Sequence, residues 1–218
     1  MAVNKNSSVY IVVYATVMVV VVAAVLAVAA LTLGPIQNQN IERETKGALL
    51  ASVGVVVPTE EIESAYARTI TEIPVTSGDG SQLTLYKSTT DGETLYVIPV
   101  AGSGLWGPVW GYVAVEGDWN TISGVVFDHK GETPGLGAEI TTPAFTGQFV
   151  GKKLFDGGGE LVGITVLKGS GASRGNDHAV DAISGGTITS RAVENMIRTT
   201  LAGYKSYIEK QRSNEGVQ

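Results

Sequence analysis

The chain has 218 residues, no cysteine, two histidines and a formal net charge of -6. This length is compatible with one domain plus an appendage. The acidic balance, without a basic block of five or more residues, does not favour nucleic acid as a partner. The lack of cysteine excludes disulfides, thiolate metal ligands and a cysteine nucleophile, and His129 and His178 are too far apart in the sequence to suggest a metal site.

An uncharged apolar segment runs from Val9 to Leu33. About 20 apolar residues are enough for a helix to cross a bilayer core. A cleaved signal peptide has a shorter apolar core of roughly 7–15 residues, and a core helix of a soluble protein usually keeps a polar face. We therefore predict that residues 1–34 form an N-terminal tail and a single transmembrane anchor. Basic residues are nearly balanced on its two sides, so the charges do not decide its orientation.

The residues after this anchor predict a connection and then a domain. Pro35 is expected to interrupt the helix, with a polar helix from Ile36 to Ser52, so that residues 35–57 form a connecting helix or linker. The domain is then predicted over residues 58–218. Its first helix is expected to start at the sequence Pro58-Thr59-Glu60-Glu61, with threonine as the cap, and to run to about Thr69.

Alternating and continuous apolar runs predict several strands in this domain. Asp91-Gly92 separates two of the runs and predicts a hairpin turn. A short helix is expected from Thr141 to about Val150. Paired strands flanked by helices indicate an α+β domain with a largely antiparallel sheet. The predicted strands lie around Leu83 and Leu85 and over Leu95–Val100, Val109–Glu116, Thr121–Phe127 and Leu161–Leu167.

The stretch from Asp181 to Ser190 places hydroxyl groups and two glycines where a loop becomes a helix. A helix N-terminus offers unpaired N–H groups and a partial positive charge, so it suits a phosphate, although ordinary capping explains the same residues. Apolar residues at spacings of three and four predict one buried face of the helix. The predicted face consists of Ile188, Ala192, Val193, Met196, Ile197 and Leu201.

Two further glycine-rich loops carry residues that a plain scaffold has little need for. Gly102–Gly111 contains two tryptophans that could stack on a flat ligand, or could equally be core residues. His129–Ile140 contains Glu132, which could be a general base, but a lone loop glutamate is more often solvated or a loop-stabilising acceptor. The lead-in Gly169–Arg174 lacks the spacing and lysine of a triphosphate-binding loop, and Lys152 and Lys153 are usable phosphate partners. The residues alone thus predict a membrane-anchored domain able to bind a planar phosphorylated ligand.

Three motifs in these loops resemble those of a known family. They are Gly104-Leu105-Trp106-Gly107 with Tyr112, Gly131-Glu132-Thr133-Pro134-Gly135-Leu136-Gly137, and Asp181-x-x-Ser184-Gly185-Gly186-Thr187. Together with the anchor they resemble the C subunit of the bacterial sodium-translocating NADH:quinone reductase and, as the alternative, the G subunit of the related electron-transport complex. The first motif and Gly151-Lys152-Lys153 look more like the sodium-pump protein.

The resemblance implies that FMN is bound covalently, through a phosphoester made by a flavin transferase that recognises the third motif. Thr187 would be the acceptor, with Thr189 and Ser190 as alternatives, and Gly186 stands where the family usually has alanine. Leu136 would pack on the flavin ring and Thr133 would contact its polar edge. No catalytic or metal-binding residue is implied. The implied cofactor-binding residues are Thr187, Ser184, Gly185, Gly186, Ile188, Thr189, Asp181, Leu105, Trp106, Gly107, Glu132, Thr133, Pro134, Gly135, Leu136, Gly137 and Lys153.

The implied function is electron relay, one electron at a time, within a membrane NADH:quinone reductase. The other subunits of that complex would be its partners, and the flavin domain would lie on the periplasmic face of the inner membrane. A membrane-anchored module that binds FMN noncovalently, or an assembly factor whose glycine loops are ordinary turns, are the other interpretations.

Overall fold

A computed structural model describes residues 7–90 and 92–215 of the chain. The chain divides into two compact units between Thr45 and Lys46. Helix α1, Ser8–Ser52, provides the first unit and continues into the second. Its apolar part is long enough to cross a membrane, which fits the predicted anchor.

Helix α1 continues through Pro35, so the predicted interruption was wrong. Proline has no backbone N–H, so the helix directly loses only the one hydrogen bond that this N–H would have donated. The turns on either side keep the rest of their hydrogen bonds, which is enough to continue the helix. The last turn of α1 belongs to the second unit, where Leu49 packs with Val97 and Leu50 packs with Ala65. The predicted boundaries at residues 34/35 and 57/58 stay predictions.

The domain begins with a short 3-10 turn, Thr59–Glu61, followed by helix α2, Ile62–Thr69. The predicted end at Thr69 is confirmed. The predicted threonine cap was wrong, because no side-chain capping bond is made at the start of either element.

A five-stranded antiparallel sheet follows, in the order β1-β2-β3-β4-β5. The predicted α+β fold with its largely antiparallel sheet is therefore confirmed. The hairpin between β2 and β3 is also confirmed, with Gly92 at a positive φ of 85°, while Asp91 lies outside the described residues. The first strand was not predicted, because Glu72 and Pro74 interrupt its apolar pattern. The strands are β1 Ile70–Thr76, β2 Gln82–Thr90, β3 Glu93–Ser103, β4 Pro108–Val115 and β5 Ile122–His129.

After the sheet, one helix and one strand predicted from the sequence are shorter than expected. The helix predicted from Thr141 to Val150 is instead helix α3, Pro143–Thr146, between the 3-10 turns Gly137–Thr141 and Gly147–Phe149. The strand predicted over Leu161–Leu167 is regular only in its last part, β6, Thr165–Leu167. Gly163 has a positive φ of 67°, and its N–H bonds to the Leu154 carbonyl, which turns the chain there.

Strand β7, Ala179–Asp181, pairs with β6 in parallel and leads directly into the stretch before helix α4, Thr187–Glu215. Helix α4 covers the sheet, with Met196 against Gly102 of β3 and the Tyr204 hydroxyl 2.7 Å from the Thr84 carbonyl oxygen. The predicted buried face is confirmed at Ala192, Val193, Met196, Ile197 and Leu201. Ile188 was assigned wrongly to that face, since it is 61% exposed.

Candidate functional site

The carboxylate of Glu132 joins two separate parts of the domain. Its Oε1 accepts a hydrogen bond from the Trp106 N–H at 2.9 Å, in the loop between β3 and β4. Its Oε2 accepts one from the Thr189 hydroxyl at 2.5 Å, in the first turn of α4. The sequence predicted that Glu132 is either solvated or an acceptor that stabilises a loop. Because Glu132 is only 4% exposed, it is the acceptor.

Two glycines allow the backbone to pack this closely around the carboxylate. A Cβ on Gly104 would lie 2.5 Å from Glu132 Oε1, and a Cβ on Gly137 would lie 2.5 Å from Oε2. Real Cβ contacts are essentially never this short, so both positions need glycine. The three predicted loops therefore do come together, and they meet at Glu132.

The pKa of Glu132 is lowered from its ordinary value. Burial favours the neutral form and would raise this pKa, but hydrogen bonds from the Thr189 hydroxyl and from the Trp106 and Leu105 N–H groups outweigh it, with a smaller effect from nearby His129. Glu132 is therefore an anion at neutral pH.

Beside Glu132 lies a cavity of about 290 Å³, which we call the Trp106 cavity. Four of its side chains are large, apolar and substantially exposed: Trp106 at 70%, Ile188 at 61%, Leu105 at 48% and Leu136 at 42%. A contiguous patch of exposed apolar side chains marks a ligand or partner site, whereas single exposed apolar residues are common on any protein surface. The complete lining is Leu105, Trp106, Glu132, Thr133, Leu136, Gly137, Gly185, Gly186, Thr187, Ile188 and Thr189.

A second cavity of about 470 Å³, which we call the Lys168 cavity, shares Gly185 and Thr187 with the first. Its walls carry polar groups, including an exposed lysine, and the residues that directly follow β6 form part of its lining. The complete lining is Gln148, Lys168, Gly169, Ser170, Asp181, Ala182, Ile183, Ser184, Gly185 and Thr187. Thr187 thus stands between an apolar cavity and a cavity that holds a cationic side chain.

The hydroxyl groups at the start of α4 differ in availability. The Thr189 hydroxyl is bound to Glu132, and the Ser190 hydroxyl donates to the Gly186 carbonyl and accepts from the Ile183 N–H. Both residues are buried. Thr187 is half-buried, and its hydroxyl makes no hydrogen bond within residues 7–90 and 92–215.

Asp181 braces the loop that lines the Lys168 cavity. Its carboxylate accepts hydrogen bonds from the Ser173 N–H at 2.8 Å and from the Gly171 N–H, and its own N–H donates to Gln148 Oε1 at 2.8 Å. The hydrogen bonds to the carboxylate favour its charged form and lower the pKa of Asp181, and the bond from Ser173 has the largest effect. Its side chain is used to hold a loop in place.

The two glycines before Thr187 are packed against Leu136. Gly185 has a positive φ of 74°, and a Cβ on it would lie 2.6 Å from Leu136 Cδ2. A Cβ on Gly186 would lie 2.9 Å from the Leu136 carbonyl oxygen and 2.9 Å from Ile183 Cγ2. An alanine at position 186 would therefore not fit without a shift, because neighbouring backbone occupies the space that its methyl group would need.

Four predicted residues line neither cavity. The Gly107 carbonyl accepts from the Gly104 N–H at 2.7 Å and closes a turn, and Gly135 has a positive φ of 75°. Pro134 is exposed, and Lys153 donates its backbone N–H to Asp177. Tyr112, from the first motif, also lies elsewhere and packs with Leu49, Val97 and Ala114.

Sequence reasoning missed Gln148 and Lys168. Lys168 directly follows β6 and precedes the glycine-rich lead-in, so a strand-to-loop boundary at this lysine was the available signal. Nothing in the pattern around Gln148 points to the site.

Residues 104–202 match the FMN-binding domain family, and this range contains every residue that lines the two cavities. The chain is 44% identical over 119 residues to the C subunit of the Na(+)-translocating NADH-quinone reductase of Neisseria meningitidis, which covers 54% of this chain and 45% of that protein. The chain therefore spans about half the length of the curated relatives it matches.

Two solved structures are similar over most of the chain. The C subunit of the Na(+)-translocating NADH-quinone reductase from Parabacteroides distasonis is 38% identical, with a TM-score of 0.74, covering 81% of this chain and 96% of that one. NqrC of Shewanella oneidensis is 27% identical, with a TM-score of 0.68, covering 78% of this chain and 97% of that one.

Proposed function

Because the chain belongs to the family of the C subunit of the Na(+)-translocating NADH-quinone reductase, we propose that it is an electron-transfer protein that carries FMN on Thr187. The phosphate of FMN is bonded to the threonine oxygen. In this phosphoester an Oγ–P bond replaces the Oγ–H bond, with loss of water relative to free FMN and free threonine.

The observation that carries this proposal is the position of the Thr187 hydroxyl. It lies in the first residue of α4, is half-buried, and lines both cavities. The two competing hydroxyls, on Thr189 and Ser190, are buried and engaged in hydrogen bonds. Attachment at either of them would break bonds that hold the loops together.

The chemistry of the two cavities fits the two ends of FMN. The exposed apolar side chains of Trp106, Leu136 and Ile188 suit a flat aromatic ring system. The first N–H groups of α4 and the side chain of Lys168 suit a phosphate that carries negative charge. The two cavities meet at Thr187, which is where a phosphoester would join those ends.

FMN supplies one-electron chemistry, while the protein positions the group and tunes its electronics. We place this relay in a membrane sodium-translocating NADH:quinone reductase, with the other subunits of that complex as partners. A flavin transferase would attach the FMN during maturation. Helix α1 would anchor the chain in the inner membrane, and the flavin domain would lie on the periplasmic side.

Mass spectrometry of the full chain, co-expressed with a flavin transferase, tests the attachment. The peptide that contains Thr187 should gain the mass of FMN minus water. Thr187→Val should abolish this adduct, whereas Thr187→Ser should retain it because it keeps a hydroxyl. Thr199→Val is the matched control for the acceptor position, since Thr199 is an exposed threonine of the same helix that lines neither cavity, and this variant should keep the adduct.

Each alternative has its own result. Unmodified wild-type chain from cells that contain an active flavin transferase would refute covalent attachment. Flavin that is released on denaturation and filtration would indicate noncovalent binding. An adduct that persists in Thr187→Val would move the acceptor to another hydroxyl.

A further inference from the structure

Glu132 places a buried negative charge in the wall of the Trp106 cavity. Its two carboxylate oxygens are held in place, one by the Trp106 N–H and the other by the Thr189 hydroxyl. Gly104 and Gly137 pack directly against those oxygens. The carboxylate therefore cannot swing away from the cavity without disturbing three loops.

Among the described residues, no lysine or arginine neutralises this charge. Within residues 7–90 and 92–215, neither type of side chain lies within 4 Å of the Glu132 carboxylate. His129 is the nearby titratable group, and its Nδ1 accepts a hydrogen bond from the Glu132 backbone N–H at 3.2 Å. This hydrogen bond involves the Glu132 backbone and not its carboxylate.

We propose that Glu132 sets the reduction potential of the flavin by holding a fixed negative charge beside the ring and so making the flavin harder to reduce. This inference rests on the proposed function, which assigns the ring to the Trp106 cavity. Reduction adds an electron to the ring, and added negative charge near a carboxylate in a site of low polarity is electrostatically unfavourable. Glu132 therefore acts on the ring through its charge as well as holding the loops.

Thr189 moderates this effect. Its hydroxyl donates to Glu132 Oε2 and draws part of the negative charge toward α4. Loss of that donor leaves the carboxylate charged but less well compensated. Substitutions at Glu132 and at Thr189 should thus shift the potential in opposite directions, which a purely structural role would not predict.

The test is a spectroelectrochemical titration near neutral pH of the full chain, co-expressed with a flavin transferase and purified in detergent. Glu132→Gln removes the charge while its amide can still accept from Trp106 and donate to Thr189, so the midpoint potential should rise. Thr189→Val keeps the charge and removes the donor, so the potential should fall. Glu139→Gln is the matched control, because Glu139 belongs to the same loop, bonds to the Gly135 N–H at 3.0 Å and lines neither cavity.

The results separate this inference from the proposed function. A wild-type chain without flavin on Thr187 refutes the proposed function itself. Flavin on Thr187 with equal potentials in wild type, Glu132→Gln and Glu139→Gln overturns the role of Glu132 and leaves the proposed function standing. If Glu132→Gln does not take up flavin, Thr189→Val decides, because a potential equal to or above that of wild type overturns the inference.

Discussion

Replacing Gly186 with alanine should destabilise the domain by bringing a methyl group against backbone. The added Cβ would lie 2.9 Å from the Leu136 carbonyl oxygen and 2.9 Å from Ile183 Cγ2. The Leu136 backbone cannot rotate away like a flexible side chain, and it is tied by its N–H to the Thr133 carbonyl at 3.1 Å. The Gly186 carbonyl also accepts the Ser190 N–H at 2.9 Å, so the start of α4 resists movement as well.

Overpacking of this kind costs typically about 1–3 kcal/mol. Alanine recovers about 0.4–1 kcal/mol, because it restricts the unfolded chain more than glycine does. Taken at the midpoints of these ranges, about 2 and about 0.7 kcal/mol, the expected net loss is about 1.3 kcal/mol in the free energy of unfolding, which corresponds to about 3–5 °C in Tm for a domain of this size.

Thermal and urea denaturation of the flavin-free chain measure this loss. Gly147→Ala is the matched control, since Gly147 has a helical φ of -63° and a Cβ there would meet nothing within 4 Å. That control should be neutral or stabilising, by up to about 1 kcal/mol. A Gly186→Ala chain as stable as wild type would show that the Leu136 backbone is not the obstacle inferred here.

Two further predictions concern the Trp106 cavity. Because the folded-state pKa of Glu132 is lowered, its ionised form stabilises the domain fully above the ordinary glutamate pKa of about 4.3, and this stabilisation is lost as the pH falls through the lower folded-state pKa. Denaturation as a function of pH should show this loss in wild type and less of it in Glu132→Gln, and parallel curves would contradict the assignment. Trp106→Ala should change the stability of the flavin-free chain by no more than about 0.5 kcal/mol, because the side chain is 70% exposed. The flavin-loaded chain should lose more, as measured by its Tm, and an equal loss in both forms would argue against contact between Trp106 and the ring.

The sequence predicted those features of the site that depend on local pattern. The spacing of Val193, Met196 and Ile197 located the buried face of α4, and the hydroxyls and glycines before it located the helix start. Ile188 fits the same spacing but lies in the first turn of α4, where it lines the Trp106 cavity and stays exposed. Periodicity describes a helix face and does not show which positions on that face border a cavity.

The features that could not be predicted depend on contacts between distant segments. Glu132 and Thr189 are 57 positions apart, and only the folded chain shows that they share a hydrogen bond. The parallel pairing of β6 and β7 likewise brings Lys168 close to the loop before α4, although each strand is too short to give a pattern. Pro35 failed as a breaker because one lost hydrogen bond does not end a long helix.

Glu132 and Asp181, the two acidic residues of the site, have lowered pKa values that do not suit a general base. A general base that works near neutral pH needs a carboxyl pKa raised toward 7. The pKa values of Glu132 and Asp181 are both lowered, because hydrogen bonds from hydroxyl and N–H groups favour their charged forms. Each carboxylate uses its oxygens to hold a loop. Carboxylates held in this way can keep the loops around a bound group in place, which fits the proposed electron relay.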